Sequence, residues 1–342
     1  MSLKVHDLSG GDAVLARVDG VARRALHAYG LPPTATATLI NVSENATFRV
    51  DDPATGDRAV LRVHRLDYHS ERAIHSELDW LTALRTDAGV RTPRVRTTLR
   101  GERVVTIADP DGPEPRRCVM FEFLPGSEPA EDGLVDHFEV LGALTARMHR
   151  HARSWNAPEG FTRFRWDYGA ALGAESRWGR WEGGAGVDGE ARAVLARLDG
   201  ELRRRLRRYG AGPDRYGLIH ADLRLANLLA DGSAEPAVID FDDCGYGWRL
   251  YDLAAALSFI EHHPRVPDMI DSWLRGYRAV LDLPAADEEE IWTFILFRRL
   301  LLVAWIGTHP GAAIAGALGA GYTLGTCELA ERYLRGRLPV PR

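Results

Sequence analysis

Apolar residues recur at helical spacing over residues 12–29, and the run stops at Gly30 ahead of Pro32 and Pro33, where helix-ending signals coincide. The pattern then shortens to strand-like runs at 36–40, 46–50 and 59–64, with Pro53 and Gly56 marking a hairpin turn within 51–57. Residues 69–87 return to helical spacing and end near Gly89, after which Pro93 opens further strand-like runs at 94–99, 104–108 and 117–123.

At Phe121-Glu122-Phe123-Leu124-Pro125-Gly126 a strand gives way to Pro/Gly punctuation, the mark of a hinge. Beyond it, helical patterns occupy 135–151, 187–209, 251–262, 267–280, 288–308 and 314–335, with two short strand-like runs, Tyr216–Ile219 and 237–239, inserted among them. There is no internal repeat. The expected class is α+β, with a small mixed β-sheet lobe over residues 1–123 and a larger, mostly helical lobe over 124–342. A length of 342 residues exceeds what one core usually organises, and points to two bodies independently.

Composition narrows the setting. A net charge of −5 gives no electrostatic reason to expect a nucleic-acid partner. The basic run 203–208 closes a helical pattern, where cations suit the C-terminal end of the helix dipole, and reads as a solvated helix end. Cys118, Cys244 and Cys327 are odd in number and widely spaced, without metal-site spacing, and with no signal-peptide layout at the start the expected location is the cytoplasm. The longest apolar stretch, 291–306, is interrupted by Arg298 and Arg299 and falls short of a membrane span, so no membrane partner is expected.

The chemistry concentrates between Leu218 and Leu253. His220, Asp222 and Asn227 spell H-x-D-x-x-x-x-N, and thirteen residues after Asn227 an apolar triplet delivers Asp240. Phosphoryl transfer asks a protein for alignment of the attacking oxygen and for metal ions to neutralise phosphate charge, so few residues suffice. Asp222 is positioned to orient an acceptor hydroxyl as catalytic base. Asn227 and Asp240 offer the hard oxygen donors that suit Mg²⁺. His220 reads as a support that holds the loop, and Asp242, two residues beyond Asp240, as a further support on the same side of an extended segment.

This segment resembles the Brenner-type loop of the aminoglycoside phosphotransferase and choline kinase-like family, whose members typically read HGDLHPGN, then IDFxD, then YDLA. Here Ala221 replaces the usual Gly, and Arg224 and Leu225 stand where His-Pro is common. The resemblance implies a two-lobe protein kinase-like fold, ATP and Mg²⁺ as cofactors, Asp222 as base, and Asn227 with Asp240 as metal ligands. It also implies that the backbone of Glu122 and Leu124 binds adenine. The long activation segment of a protein kinase has no room, because Tyr251-Asp252-Leu253 begins eight residues after Asp243.

A kinase grips the α/β-phosphates with a strand lysine paired to a helix glutamate. The matching strand here holds Arg62, and Glu77 lies fifteen residues later on the following helix. No GxGxxG marks a phosphate loop. The linker from Asn41 to Phe48 is similar to the family's non-glycine nucleotide loop, which implicates Ser43 and Asn45. On the acceptor side, Trp155, Phe161, Phe164, Trp166, Tyr168, Trp178 and Trp181 form an aromatic-rich stretch that reads mainly as packing, while Asp167, Glu175, Asp242, Asp243 and Glu261 are carboxylates available to a polycation. Asp252 reads as a helix cap that braces the catalytic loop.

The leading expectation is a Mg²⁺/ATP-dependent kinase acting on a hydroxyl of a small-molecule acceptor: aminoglycoside-like, sugar, amino alcohol or homoserine-like. A Ser/Thr protein kinase of the same fold and a nucleotide-binding pseudokinase remain as alternatives. The chain is expected as monomer or homodimer.

Overall fold

The structure, a computed structural model, describes residues 11–42, 45–109, 112, 114–130, 132–233 and 235–339. Two compact units emerge. The first comprises the described residues up to Ala83, with Thr92–Pro125 and Ala157–Thr162; the second comprises Leu84–Arg91, Gly126–Asn156 and the described residues from Arg163 onward.

In chain order the first unit contributes α1 (Gly11–Ala28), β1 (Thr36–Val42), β2 (Ala46–Asp51), β3 (Arg58–Val63), most of α2 (Glu71–Asp87), β4 (Val95–Arg96), β5 (Val105–Ile107) and β6 (Arg116–Glu122). The strands form an antiparallel sheet in the order β1-β2-β3-β6-β4, with β5 also on β6. Alternation decides its faces. Ala46, Phe48 and Val50 of β2, Ala59, Leu61 and Val63 of β3, and Cys118 and Met120 of β6 meet Val18, Val21, Ala22, Ala25 and Leu26 of α1 in one apolar core. Arg62, one residue out of phase with that set, therefore lies on the other face.

The second unit contains α3 (Leu134–Ser154), β7 (Phe164–Arg165), α4 (Tyr168–Leu172), α5 (Gly189–Tyr209), β8 (Tyr216–Ile219), β9 (Leu228–Leu229), β10 (Ala237–Val238), β11 (Gly245–Trp248), α6 (Leu250–Ala256), α7 (Val266–Arg278), α8 (Ala285–Glu288), α9 (Ile291–Thr308) and α10 (Ala313–Leu334). Helices α3 and α7 approach so closely that a Cβ at Gly142 would overlap the Trp273 carbonyl, and one at Gly276 the Glu139 carbonyl. Helix α9 is buried from Ile291 to Ile306, which explains its lack of an apolar stripe. Ala285–Thr308 is long and apolar enough to cross a membrane by length and composition, yet 89% of its most apolar window is buried inside the protein.

Several expectations change. The helix expected over 251–262 ends at Ala256, because Phe259 adopts φ 73° and turns the chain away. The periodicity gave no sign of β7 and β11, which join β8 in a three-stranded sheet ordered β7-β11-β8. Runs of two and four residues are too short for alternation to register. Helix α10 is interrupted at Gly319, whose φ of 45° and ψ of −139° lie outside the helical region. Residues Arg203, Arg204, Arg207 and Arg208 are exposed at the end of α5, while Arg205 reaches Glu290 at 2.8 Å.

Candidate active site

In the first unit, β3 places Arg62 and α2 places Glu77. The Arg62 Nη2 donates to both carboxylate oxygens, at 2.7 and 2.8 Å. Side-chain exposures of 8% and 1% make this a buried ion pair, which is costly to break in low dielectric. The Arg62 guanidinium also sits 5.2 Å from the centre of the Phe121 ring on β6. Asn45 is buried, and its Oδ1 accepts the Arg65 backbone N–H at 3.1 Å, so the side chain ties the start of β2 to the chain just after β3. Ser43 lies outside the described residues. Glu122 ends β6, with its N–H donating to the Arg94 carbonyl at 2.8 Å and its carboxylate 3.6 Å from the Arg94 Nε. Leu124 follows in a half-buried segment without regular structure.

In the second unit, β8 ends at Ile219 and delivers His220, Ala221 and Asp222 into a tight loop. Ala221 has φ 68°, a left-handed conformation in which a Cβ costs about 1–2 kcal/mol, so glycine would fit more easily. What holds the loop there is Asp252 on α6. Its carboxylate accepts the His220 N–H at 3.1 Å, the Ala221 N–H at 2.7 Å and the His149 Nε2–H at 2.9 Å, all buried. The expected bracing by Asp252 is thus present. The expected cap is not, since Asp252 sits inside the first turn of α6 and its N-cap, Arg249, makes no side-chain cap hydrogen bond.

His220 is fully buried, packs 4.6 Å from the Phe241 ring, donates from Nε2 to the Ile239 carbonyl at 3.1 Å and accepts the Asp222 N–H on Nδ1 at 3.3 Å. Burial pushes its pKa down, and these two bonds match a neutral ring protonated at Nε2. A side chain with both nitrogens committed to backbone is a support. His149 is held neutral in the same way by burial, with its Nδ1 3.0 Å from the Tyr277 hydroxyl.

Asp222 is gripped at every polar atom. Asn227, in the 3₁₀ turn Leu225–Asn227, donates from Nδ2 to the Asp222 backbone carbonyl at 2.7 Å and to its Oδ2 at 3.0 Å. Arg224 Nε lies 3.4 Å from Oδ2 and 3.3 Å from Oδ1, and Arg298 Nη2 donates to Oδ1 at 2.7 Å. Burial works to raise the Asp222 pKa, but Arg224 and Arg298 outweigh it and hold the carboxyl below the usual range. Such a group stays ionised and accepts a hydrogen bond from a hydroxyl.

Whether these residues suit a divalent cation turns on the Asn227 amide. Its nitrogen is committed to Asp222, which leaves the amide oxygen as the atom available to a metal. The Ile239 N–H donates to the Asn227 carbonyl at 3.0 Å and Val238 pairs with Leu228, so the β9–β10 ladder sets Ile239 against Asn227, with Asp240 the next residue along. Asp240 is exposed at φ 61°. A neutral oxygen and a carboxylate, with other positions left to water and phosphate, fit the chemistry of Mg²⁺. Asp242 is buried; Arg163 binds its backbone carbonyl and, at 2.7 Å, that of Cys244, while Trp166 Nε1 donates to the Asp243 carbonyl at 2.8 Å. This fastens the segment that follows Asp240.

On the acceptor side, Trp166, Trp178 and Trp181 are buried, so that part of the aromatic stretch packs the second unit. Among the carboxylates, Asp167 caps α4 through the Ala170 N–H at 3.0 Å and Glu261 is buried against Arg299 at 2.5 Å. The residue that sequence reasoning missed is Arg298, seen there only as a break in an apolar stretch. The available signal was the cost of a charge inside a buried helix, which demands a partner.

The phosphotransferase enzyme family matches residues 36–289, and the chain belongs to it. It is a kinase with the mixed α+β, protein kinase-like fold of the aminoglycoside phosphotransferase and choline kinase relatives. Among solved structures, a microcompartment-associated aminopropanol kinase is 48% identical, covers 94% of this chain and 99% of its own, and superposes with a TM-score of 0.86. Amicoumacin kinase of Bacillus subtilis (strain 168) is 27% identical over 254 residues, 71% of this chain and 72% of its own length. Amicoumacin kinase hAmiN, solved with AMP-PNP, Ca²⁺ and Ami, shares the fold at 24% identity and a TM-score of 0.76, over 97% of this chain and 98% of its own.

Proposed function

We propose that this chain transfers the γ-phosphate of ATP, with a divalent metal such as Mg²⁺, to the hydroxyl of a small amino alcohol of the aminopropanol type. The observation that carries phosphotransfer is the Asp222–Asn227 unit: an ionised carboxylate held by an amide whose nitrogen is committed to it, which leaves the amide oxygen for a metal. The acceptor class is supported by the 48% identity to an aminopropanol kinase across almost the whole of both chains.

Asp222 accepts the hydrogen bond of the acceptor hydroxyl and aims its oxygen at the γ-phosphorus. The new P–O bond forms as the bond from the γ-phosphorus to the β,γ-bridging oxygen breaks; its electron pair leaves with ADP, and the hydroxyl proton passes to Asp222 and then to water. Because both arginines keep this carboxyl a weak base, its service is orientation first and proton acceptance late. Asn227 and Asp240 would hold the metal, which would supply neutralisation of phosphate charge. Arg62, fixed by Glu77, is the phosphate-binding cation of the first unit, and the Glu122 carbonyl and Leu124 N–H are its adenine contacts. Asn45 keeps the start of β2 in place, and Ser43 would offer its hydroxyl to phosphate. A cytoplasmic setting suits three free cysteines, two of them buried.

The test is coupled ADP release from Mg²⁺/ATP with 1-amino-2-propanol, ethanolamine, choline, simple sugars and amicoumacin, with Asp222→Asn in parallel. Turnover is expected with the amino alcohols, and the substitution is expected to lower kcat by about 10³-fold or more. Turnover confined to a sugar or to amicoumacin would overturn the acceptor class. Silence across the panel with ATP binding intact, or an active Asp222→Asn enzyme, would overturn the reading as a whole.

A further inference from the structure

Helix α9 carries two adjacent arginines through the most apolar part of the second unit, and they behave differently. Arg299 meets a buried counter-charge: it donates to Glu261 Oε2 at 2.5 Å and Thr326 Oγ1 at 2.9 Å and lies 2.8 Å from His262 Nε2, while the Tyr322 hydroxyl donates to Glu261 Oε1 at 2.7 Å. Both charges of that pair are at most 2% exposed. Arg298 is as deeply buried, but its counter-charge is Asp222, with 16% of its side chain in solvent. A buried ion pair is a poor stabilising device compared with well-packed apolar side chains. A buried guanidinium whose partner reaches the surface calls for an explanation other than stability.

The geometry points to Arg298 as the positioning residue that sets the plane and direction of the Asp222 carboxylate toward the acceptor hydroxyl. This rests on the assignment of Asp222 as the group that receives that hydroxyl. Three nitrogens of Arg298 reach three partners: Nη2 to Asp222 Oδ1 at 2.7 Å, Nη1 to the Tyr251 hydroxyl at 2.9 Å and Nε to Ser258 Oγ at 3.2 Å. The rings of Trp178 and Tyr251 lie 5.2 and 5.5 Å from its central carbon. The fork is therefore fixed in its plane by three hydrogen bonds and flanked by aromatic rings, and it cannot follow Asp222 if the carboxylate turns.

An aspartate's terminal torsion is soft, so an unclamped carboxylate swings readily. Asn227 restrains Oδ2 and Arg298 restrains Oδ1. Arg224, 28% exposed and touching both oxygens at 3.3–3.4 Å, draws the group outward without choosing between them. Without Arg298 the carboxylate is expected to rotate toward Arg224, away from the direction the acceptor needs. Lysine keeps the charge but has one nitrogen for three partners, so it restores attraction without the fixed plane.

The experiment has a kinetic and a crystallographic arm, on Arg298→Lys and Arg298→Met in the full chain. Misalignment of this kind is expected to cost Arg298→Met about 100-fold in kcat, with Arg298→Lys recovering part of it. KM for ATP is expected to stay within about twofold, the signature of an interaction that matters after nucleotide binding. In crystal structures of the variants, Asp222 Oδ1 is expected to leave its wild-type position while Asn227 and Asp252 keep theirs. An unmoved carboxylate in both variants, or a fall in kcat matched by an equal loss of ATP affinity, overturns the inference. Should Arg298→Met fail to fold, Arg298→Lys decides both arms. Failure of the functional reading is distinguishable, because it shows as a silent wild-type enzyme or an active Asp222→Asn enzyme, while the crystallographic arm still decides whether Arg298 sets the carboxylate.

Discussion

Each unit buries an arginine against a carboxylate, and the two pairs are built by different means. Arg62 and Glu77 both stand on regular elements, β3 and α2, fifteen residues apart. Sheet alternation and helix geometry fix both backbones before the side chains meet. Asp222 stands on a loop, seventy-six residues from Arg298, and its direction depends on buried polar groups that neither β8 nor α9 dictates. A pair on regular elements is local and robust to changes elsewhere; a pair on a loop is as stable as the network beneath the loop.

The largest effect is expected from removing that network. Asp252→Ala leaves the His220 and Ala221 N–H groups and His149 without their acceptor, and at roughly 1–3 kcal/mol for each stranded buried group the loss is about 3–9 kcal/mol. Urea unfolding measures it, and Asp252→Asn, which keeps one acceptor oxygen, is expected to lose about half as much. An Asp252→Ala protein of wild-type stability would show that the loop holds itself.

Next comes the regular pair. Glu77→Ala removes the buried carboxylate that Arg62 Nη2 meets and is expected to cost about 3 kcal/mol, and to weaken ATP binding about tenfold, the equivalent of ~1.4 kcal/mol. Calorimetric titration with ATP and a thermal melt read the two effects. Because both of these hydrogen bonds come from one nitrogen, Arg62→Lys is expected to be milder than Glu77→Ala.

A pH series sharpens the contrast, since the loop network contains two histidines held neutral by burial. Their folded pKa values lie below the ordinary 6.5, so as pH falls through 6.5 the unfolded chain binds protons that the folded protein refuses. Stability is expected to be full above that pH and to decline below it, with a slope approaching about 1.4 kcal/mol per pH unit for each histidine until the folded groups also titrate. Denaturant melts between pH 7.5 and 5 check it, with His149→Gln expected to flatten the slope.

The smallest effect is at Ala221. Glycine would relieve about 1–2 kcal/mol of left-handed strain but adds about 0.4–1 kcal/mol of unfolded-chain freedom. Ala221→Gly is therefore expected to raise stability by about 0–1.6 kcal/mol, and a measurable loss would place the strain elsewhere.

Much of the fold was legible because it is periodic. The spacing of Val18, Val21, Ala22, Ala25 and Leu26 announces a helix with one apolar face, and the alternation through β2 and β3 announces the sheet beneath it. The same periodicity overran at Phe259, because helical spacing carries no record of a residue forced to positive φ. It was silent on β7 and β11, because the pairing of β11 with β7 on one side and β8 on the other joins distant segments. Burial of Trp166, Trp178 and Trp181 follows the same rule: composition names the aromatics, and packing decides which face inward.

By itself the sequence determined what is local: the elements with a clear period, the order His220, Asp222, Asn227, Asp240, and the strand and helix that bring Arg62 to Glu77. Only the tertiary structure decided that Asp252 receives three donors, one of them from His149 at a separation of 103 residues, and that Arg298 closes on Asp222. The reason is physical. Periodicity and spacing constrain residues that share an element or its neighbour, whereas the partner of a buried charge is chosen by which distant group the packed helices bring within reach.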